Sequence, residues 1–206
     1  MQELLKKLKN LRTLLVYENV YSLEYTLFNE ILPTFKDLKT FYIIYSECAN
    51  RTLKIAGESF KELNKETEKI LKNCNIIKIG RNSKIPFGKL YKFITFNENY
   101  TDFLKDALEN VEGLILFYGF SILVLKSDVK DLVELFDIIP EDVTLICECN
   151  KNVYRNEFSI FFDAVLSIRE DEMSLGEFQV LEVLYSSKLD LIPGTCERFR
   201  WEYARV

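Results

Sequence analysis

Residues 13–22 read Thr-Leu-Leu-Val-Tyr-Glu-Asn-Val-Tyr-Ser and predict a strand that runs directly into a helix. The continuous apolar run at the start of this stretch is typical of a strand that is covered on both faces. The pattern that follows predicts a helix over residues 22–36, with Ser22 as its N-cap and Pro33 close to its end. A buried strand followed at once by an amphipathic helix indicates an α/β fold.

The same turn lacks the residues that a phosphate-binding loop needs. Such loops use glycines, so that backbone amides can close on the anion, and usually a lysine that neutralises it. Residues 18–22 contain neither, and no glycine precedes Gly57 in the chain. They offer the carboxylate of Glu18, an amide and bulky side chains instead. We therefore expect this turn to repel or exclude a triphosphate.

The composition narrows the classes of function further. The 27 basic and 32 acidic residues are interleaved and leave a net charge of -5, which gives no electrostatic footprint for nucleic acid. The chain has no histidine, so it lacks the commonest general base and the commonest zinc ligand. Its five cysteines are an odd number, which favours reduced thiols over a disulfide framework. We expect no metal, no cofactor and no nucleic-acid partner.

Strands and helices alternate along most of the chain and then give way to strands alone. The apolar runs predict strands that begin near residues 13, 40, 75, 90, 114 and 143, with helices between most of them. Later runs predict consecutive strands over residues 164–168, 177–185 and 198–203. This order predicts a three-layer, doubly wound sheet with parallel central strands and antiparallel C-terminal strands. We expect residues 1–206 to form a single domain, with a short amphipathic helix over residues 1–11 packed on it.

This order of elements resembles the RecA-like ATPase core, in particular its KaiC-like and RadA-like archaeal branch. The strand that ends at Tyr45-Ser46-Glu47 is similar to the family's second strand with its terminal catalytic glutamate. Residues 113–121 resemble the Walker B strand, and Asp163 with the apolar run after it resembles a late strand of the family. The closing antiparallel pair, which ends at residues 196–202, completes the resemblance. An uncharacterised group of short archaeal proteins has the same general appearance.

Two motifs of that family are missing from this sequence. Residues 18–22 stand at the Walker A position without glycine or lysine, and Tyr118 stands where the Walker B aspartate is expected. A tyrosine cannot anchor magnesium as a carboxylate would. Glu47 remains as a candidate base, but a base alone cannot supply the electrostatic stabilisation that phosphoryl transfer needs. The resemblance with these departures implies a degenerate P-loop domain that has lost nucleotide hydrolysis and acts as a protein-interaction or regulatory module.

A second hypothesis stays open beside this one. The chain could be a small-ligand or nucleotide-binding protein, or an enzyme, that uses the crevice at the carboxyl ends of its strands. The candidate residues for that crevice are Glu18, Asn19, Ser22, Glu47 and Tyr118. In a purely structural role, the same side chains would form an ordinary turn, an N-cap and a solvated helix start.

Two further patterns have weaker functional interpretations. Arg81, Lys84 and Lys89 could form a small anion-binding patch, but their loop does not have P-loop spacing, and a solvated loop explains the charges as well. Cys147 and Cys149 lie on the same face of a predicted strand. Buried structural thiols explain that pair better than a redox site or half of a metal site.

The sequence also carries expectations about location and partners. Its first residues lack the apolar region of a signal peptide, and no apolar run approaches the ~20 residues of a membrane span. We therefore expect a cytoplasmic protein. Scarce glutamine with abundant lysine and glutamate resembles the composition of hyperthermophile proteins. The resemblance implies a protein partner or a homo-oligomer, because family members assemble through the edges and loops that flank the nucleotide site.

Overall fold

A computed structural model describes residues 3–60, 65–97, 99–173 and 176–200 of the chain. These residues form one nine-stranded sheet with helices on both faces. The strands are β1 Arg12–Tyr17, β2 Thr40–Tyr45, β3 Asn75–Gly80, β4 Lys89–Thr95, β5 Leu114–Tyr118, β6 Thr144–Asn150, β7 Ala164–Met173, β8 Gly176–Ser186 and β9 Cys196–Arg200. The helices are α1 Glu3–Lys6, α2 Val20–Tyr25, α3 Leu32–Thr34, α4 Glu47–Phe60, α5 Lys65–Asn73, α6 Tyr100–Leu108, α7 Phe120–Val124 and α8 Val129–Asp137. A π-helical turn covers Thr26–Ile31 and a 3₁₀ segment covers Asn156–Phe161.

The strand order confirms the predicted fold class. The order is β4-β3-β2-β5-β6-β1-β7-β8-β9. All neighbours from β4 to β7 are parallel, whereas β8 pairs antiparallel with both β7 and β9. Because β1 lies inside the sheet, with β6 on one side and β7 on the other, the chain winds outward in both directions. The molecule is therefore a doubly wound α/β sheet with an antiparallel C-terminal end.

Two separate hydrophobic layers cover the sheet. On one face, β1 and β2 pack against α1, the helical segment after β1, α4 and α5, around residues such as Phe28 and Leu53. On the other face, α6, α7 and α8 pack around Leu108 and Phe136. Every residue of β2 is buried. Burial on both faces explains why the central strands are continuous apolar runs rather than alternating ones.

The helix after β1 begins earlier than predicted and is less regular. Asn19, not Ser22, is the N-cap, so the prediction of a Ser22 cap is wrong. The turn is only two residues long, which leaves Asn19 extended and able to cap, whereas Ser22 is already buried inside α2. The helix continues through the π-helical turn into α3 and ends one residue after Pro33. The predicted end of the helix near this proline is confirmed.

Other boundaries differ from prediction by a few residues. The helix after β2 begins at Glu47, where the Ser46 hydroxyl accepts a hydrogen bond from the Ala49 amide at 3.3 Å. The apolar run over residues 114–125 divides at Gly119 into a strand and a short helix. The predicted last strand is present as far as residue 200, and residues 201–203 lie outside the described ranges. Within those ranges, no helix is both long enough and apolar enough to span a membrane.

Strands β1 to β7 are parallel, so their carboxyl ends lie along one edge of the sheet. We call this the carboxyl edge. It includes residues 18–22, 46–47, 80–82, 119–121 and 150–151, which follow β1, β2, β3, β5 and β6. In open α/β sheets ligands bind along this edge, and the predicted crevice residues lie on it.

Candidate functional site

The turn between β1 and α2 is closed by a carboxylate from β7. Asn19 Oδ1 accepts a hydrogen bond from the Tyr21 amide at 2.9 Å. Asn19 Nδ2 donates to Glu170 Oε1 at 2.9 Å, and Ser22 Oγ donates to the same oxygen at 2.5 Å. Glu170 reaches this turn because β7 pairs with β1. A carboxylate of the chain itself therefore binds polar groups at the start of α2.

Glu18, the other residue of the turn, has a partner on the neighbouring strand. Its carboxylate forms an ion pair with Lys151, which follows β6. Both side chains are mostly exposed, so the pair adds little to stability. It does add a second carboxylate to the turn, beside that of Glu170. Two carboxylates and one lysine, with a negative net charge, thus lie where a phosphate-binding loop would present amides and a lysine.

Tyr118, at the end of β5, is buried below this turn. Its hydroxyl donates a hydrogen bond to Glu24 Oε1 at 3.2 Å. Glu24 lies on α2 and is only 4% exposed. Burial raises the pKa of its carboxyl to about 7, although the hydrogen bond from Tyr118 acts in the opposite direction. The phenol and the carboxyl group therefore satisfy each other inside the protein.

A second buried carboxyl group, Glu148 on β6, lies beside that pair. Its Oε1 accepts hydrogen bonds from the amides of Gly119 at 2.8 Å and Ser121 at 3.2 Å. Its Oε2 accepts the Ser121 hydroxyl at 2.6 Å, and the Tyr17 hydroxyl also bonds to the carboxyl. Burial raises the pKa of Glu148 to about 7 against these hydrogen bonds. We call Tyr17, Glu24, Tyr118 and Glu148 the buried tetrad.

Three of the acidic residues described above, Glu24, Glu148 and Glu170, are not among the residues predicted from the sequence. The sequence does indicate that Glu148 is unusual, because a carboxylate inside a central apolar strand must find hydrogen-bond donors. It gives no such indication for Glu24, since the burial of Glu24 depends on where α2 begins. Glu170 is 151 residues from Asn19 in the chain, and only the pairing of β1 with β7 joins them. Long-range strand order therefore determines most of this site.

Glu47, at the end of β2, belongs to a separate group of residues. Two strands, β5 and β6, lie between β2 and β1, so about 14 Å of sheet separates it from the β1–α2 turn. Its Oε1 accepts hydrogen bonds from Lys78 Nζ at 3.2 Å, the Arg81 amide at 2.9 Å and the Asn82 amide at 3.4 Å. Burial acts to raise the pKa of Glu47, but the hydrogen bonds from Arg81 and Lys78 outweigh it and lower that pKa. The carboxylate therefore stays charged and paired.

The backbone around this pair is held in an uncommon conformation. Ser46 has a φ of 92°, a left-handed value that costs a residue with a side chain of order 1–3 kcal/mol. Its carbonyl accepts a hydrogen bond from Lys78 Nζ at 3.0 Å. A Cβ on Gly80 would lie 2.5 Å from Glu47 Oε1 and 2.6 Å from Lys78 Nζ. A side chain at position 80 would therefore displace the charged ends of this ion pair.

This second group lines a cavity of about 260 Å³ at the carboxyl edge. We call it the edge pocket. Its lining consists of Tyr45, Ser46, Glu47, Gly80, Arg81, Phe96 and Lys126. A larger cavity, of about 460 Å³, lies at the amino ends of the strands around Lys39 and Cys74, away from the predicted site residues.

The structure divides the predicted basic patch. Arg81 follows β3 at the carboxyl edge, whereas Lys89 opens β4 and pairs with Asn75 at the amino end of β3. Five residues of strand, about 16 Å, separate these two ends. Lys84 lies on the exposed loop between them. Arg81 instead shares a cavity with Lys126, which is not among the residues predicted from the sequence.

The remaining candidates are buried in the sheet or paired with neighbouring residues. Cys147 and Cys149 are buried within β6, and burial raises the pKa of the Cys149 thiol to about 12. Asp163 accepts a hydrogen bond from the Arg12 amide at 2.9 Å and forms an ion pair with Lys188. In the part of the chain that the structure describes, no group of three or more thiol or acidic side chains could hold a metal ion.

Comparisons with known proteins support the fold rather than a specific activity. No protein-family model matches the chain, and no curated protein matches it in sequence. A Pyrococcus horikoshii OT3 protein studied as project PH0250 is 14% identical, with a TM-score of 0.62, and the match covers 94% of this chain and 96% of that one. The flagellar accessory protein FlaH from Methanocaldococcus jannaschii is 13% identical, with a TM-score of 0.52 and coverage of 93% and 85%.

The KaiC-like protein PH0186 from Pyrococcus horikoshii OT3 is 10% identical, with a TM-score of 0.53 and coverage of 94% and 86%. These matches span nearly the whole chain at low identity. The chain therefore has the RecA-like fold of archaeal KaiC-like and FlaH proteins, and the predicted resemblance is confirmed at the level of the fold.

Proposed function

We propose that this chain is a RecA/KaiC-like domain that has lost nucleotide hydrolysis and acts through protein contacts, as a scaffold or regulator. The observation that carries the proposal is the closed β1–α2 turn, where Asn19 and Ser22 donate to the chain's own Glu170. A phosphate group would meet two carboxylates there, those of Glu18 and Glu170. Because Lys151 balances only one of these two charges, the net charge at the turn is negative and disfavours an anionic ligand.

The end of β5 supports the same proposal. Tyr118 stands where the resembled family has its magnesium-binding aspartate, and its hydroxyl is bonded to Glu24 inside the protein. Magnesium prefers carboxylates and phosphate oxygens together with several waters. A buried phenol paired with a carboxyl group of raised pKa supplies none of these at the surface. Nucleotide hydrolysis therefore lacks both its phosphate cradle and its metal ligand.

The alternative of a ligand held by all five predicted crevice residues is less well supported. Glu18, Asn19 and Ser22 are bonded to Lys151 and Glu170. Tyr118 is buried in the tetrad. Glu47 lies three strands away and is paired with Lys78. These five side chains do not converge on one cavity.

Exposed apolar side chains support the part of the proposal that concerns protein contacts. At the carboxyl edge, Tyr21 is 59% exposed and Leu125 is 69% exposed, and Val129 at the start of α8 is also exposed. Members of the resembled family assemble through this region, so we propose a second copy of the chain as the partner.

Calorimetry on the nucleotide-stripped protein tests the loss of nucleotide chemistry. We expect no heat of binding for ATP or ADP at millimolar concentration, with or without magnesium. Micromolar binding would contradict the proposal. So would magnesium-dependent ATP hydrolysis that is abolished by Glu47→Gln, because that residue is the remaining candidate base.

Sedimentation velocity over a range of concentrations tests the proposed contact. We expect concentration-dependent association that Leu125→Glu weakens. Leu189→Glu is the matched control, because Leu189 is fully exposed but follows β8 at the opposite edge of the sheet. Equal effects of the two substitutions would argue against the carboxyl edge as the interface.

A further inference from the structure

We propose that the edge pocket binds a small organic anion that carries a single aromatic ring. This inference goes beyond the proposed function and does not depend on it, because the pocket lies three strands from the β1–α2 turn. It rests on the size of the cavity, on its aromatic wall and on two cationic residues of its lining that form no ion pair with any residue that the structure describes.

The size of the pocket limits the class of ligand. Pockets for drug-sized ligands have volumes of roughly 300–1,000 Å³. The edge pocket, at about 260 Å³, lies just below that range. It has room for one ring with an acidic group, and a nucleoside triphosphate would extend far into solvent.

One wall of the pocket is aromatic and fixed in position. The Tyr45 and Phe96 rings meet edge to face, with their centroids 5.5 Å apart and an interplanar angle of 73°. Phe96 is also stacked on Tyr100, with centroids 6.0 Å apart and an interplanar angle of 13°. Tyr45 is buried, whereas Phe96 remains 46% exposed. A ligand ring can pack against this exposed aromatic surface in the offset or edge-to-face geometry that aromatic pairs prefer.

Two cations supply the charge that an anionic ligand needs. Arg81 and Lys126 both line the pocket, and Lys126 Nζ lies 5.6 Å from the centroid of the Phe96 ring. Within the described residues, neither side chain takes part in an ion pair. The positive charge therefore lies directly beside the aromatic wall, where one ligand can contact both.

The carboxylate in the lining does not cancel this charge. Glu47 is already paired with Lys78 and accepts hydrogen bonds from two backbone amides. A second carboxylate, Asp131, lies near the aromatic wall, since its charge adds to burial in raising the pKa of Tyr45 and Tyr100. Among the described residues, the charged side chains at the pocket still have a positive net charge when Lys78 and Asp131 are included. The carbonyl of Ser46, a residue with a left-handed backbone, also accepts a hydrogen bond from Lys78 Nζ at 3.0 Å, so Lys78 is bonded to two residues of the pocket lining.

Titration of the ¹⁵N-labelled full-length chain with benzoate tests the proposal. We expect benzoate to shift the amide signals of Ser46, Gly80, Arg81 and Lys126 with a dissociation constant of about 1 mM, as is usual for a ligand of this size. Acetate has the charge without the ring, and benzamide has the ring without the charge. We expect both to bind at least several-fold more weakly. Equal binding of either one, or benzoate shifts confined to other parts of the chain, would overturn the proposal.

Two pairs of variants distinguish benzoate binding in the edge pocket from nonspecific binding elsewhere on the surface. Phe96→Leu is matched by Phe103→Leu, because Phe103 is equally exposed, at 47%, and lies outside the pocket lining. Lys126→Gln is matched by Lys89→Gln, which removes the same charge at the opposite edge. We expect the first member of each pair to weaken benzoate binding about three- to tenfold and the second to leave it unchanged. Equal effects within a pair would overturn the inference, and the amide spectrum of each variant verifies its fold.

Discussion

Glu24 and Glu148 are carboxyl groups that the protein keeps away from water. Each is 4% exposed, and burial raises the pKa of each to about 7. In the unfolded chain their pKa values are close to 4.5. At a pH between 4.5 and about 7, both carboxyl groups are protonated in the folded protein and ionised in the unfolded chain. Proton binding therefore stabilises the folded protein most at the acidic end of this pH range. This contribution to stability decreases as the pH rises and is lost above pH 7.

We therefore predict that the free energy of unfolding falls by about 2 kcal/mol for each of these two groups between pH 5.5 and pH 8. Glu24→Gln should remove about half of this decrease, because glutamine can still accept the Tyr118 hydroxyl but does not titrate. Urea denaturation at a series of pH values measures the effect. Histidine, the side chain that usually titrates in this pH range, is absent from the chain and does not contribute to the effect. Identical pH profiles for the parent chain and the variant would refute the prediction.

The element that organises the carboxyl edge is the connection between β5 and α7. Gly119 forms it with a φ of 96°, and its amide donates to Glu148. A Cβ at this position would overlap the carbonyl oxygen of Tyr45 on β2. Because Gly119 has no side chain, the chain can turn from β5 into α7 at this point while the backbone of β2 lies directly beside it.

Gly194 provides a matched control for this connection. It has a similar φ of 86°, but a Cβ there would meet no atom within 4 Å. We predict that Gly194→Ala costs about 1 kcal/mol of stability, from the backbone conformation alone. Gly119→Ala should cost about 3–5 kcal/mol, because backbone overlap is added to that conformational cost. Urea unfolding midpoints of the two variants provide the comparison, and equal losses would show that the close approach to Tyr45 has no energetic effect.

The packing of helices on both faces of the sheet buries some of the five cysteines and leaves the others exposed. Cys74, Cys147 and Cys149 are buried, whereas Cys48 and Cys196 are exposed. Burial raises the pKa of the Cys74 and Cys149 thiols to about 12. The thiolate is the reactive form of cysteine, so the buried thiols are protected both by inaccessibility and by protonation.

We predict that a thiol reagent such as Ellman's reagent labels two cysteines rapidly in the folded protein and all five after denaturation. Mass spectrometry should locate the rapid labels at Cys48 and Cys196. Their Ser variants should each remove one rapid label without changing the slow phase. Rapid labelling of Cys147 or Cys149 in the folded protein would contradict the central position of β6 in the sheet.

The fold class follows from the sequence alone, and so does the prediction that the β1–α2 turn does not bind phosphate. Both conclusions depend on local features, since the apolar runs of β1, β2 and β5 and the lack of glycine in residues 18–22 can be read within a few residues of chain. The same is true of the change from alternating elements to consecutive strands after residue 150. The first residue of a helix depends on the length of the turn before it. Asn19 rather than Ser22 caps α2, because that turn is shorter than the sequence pattern predicts.

The contacts between side chains at the carboxyl edge depend on the tertiary structure. Glu170 meets Asn19 across 151 residues, and Tyr118 meets Glu24 across 94. The order of strands also separates Glu47 from the β1–α2 turn and joins Arg81 with Lys126 instead of Lys89. Local periodicity fixes which face of an element is buried but not which strands become neighbours. The packing of the whole sheet therefore determined where the site residues lie.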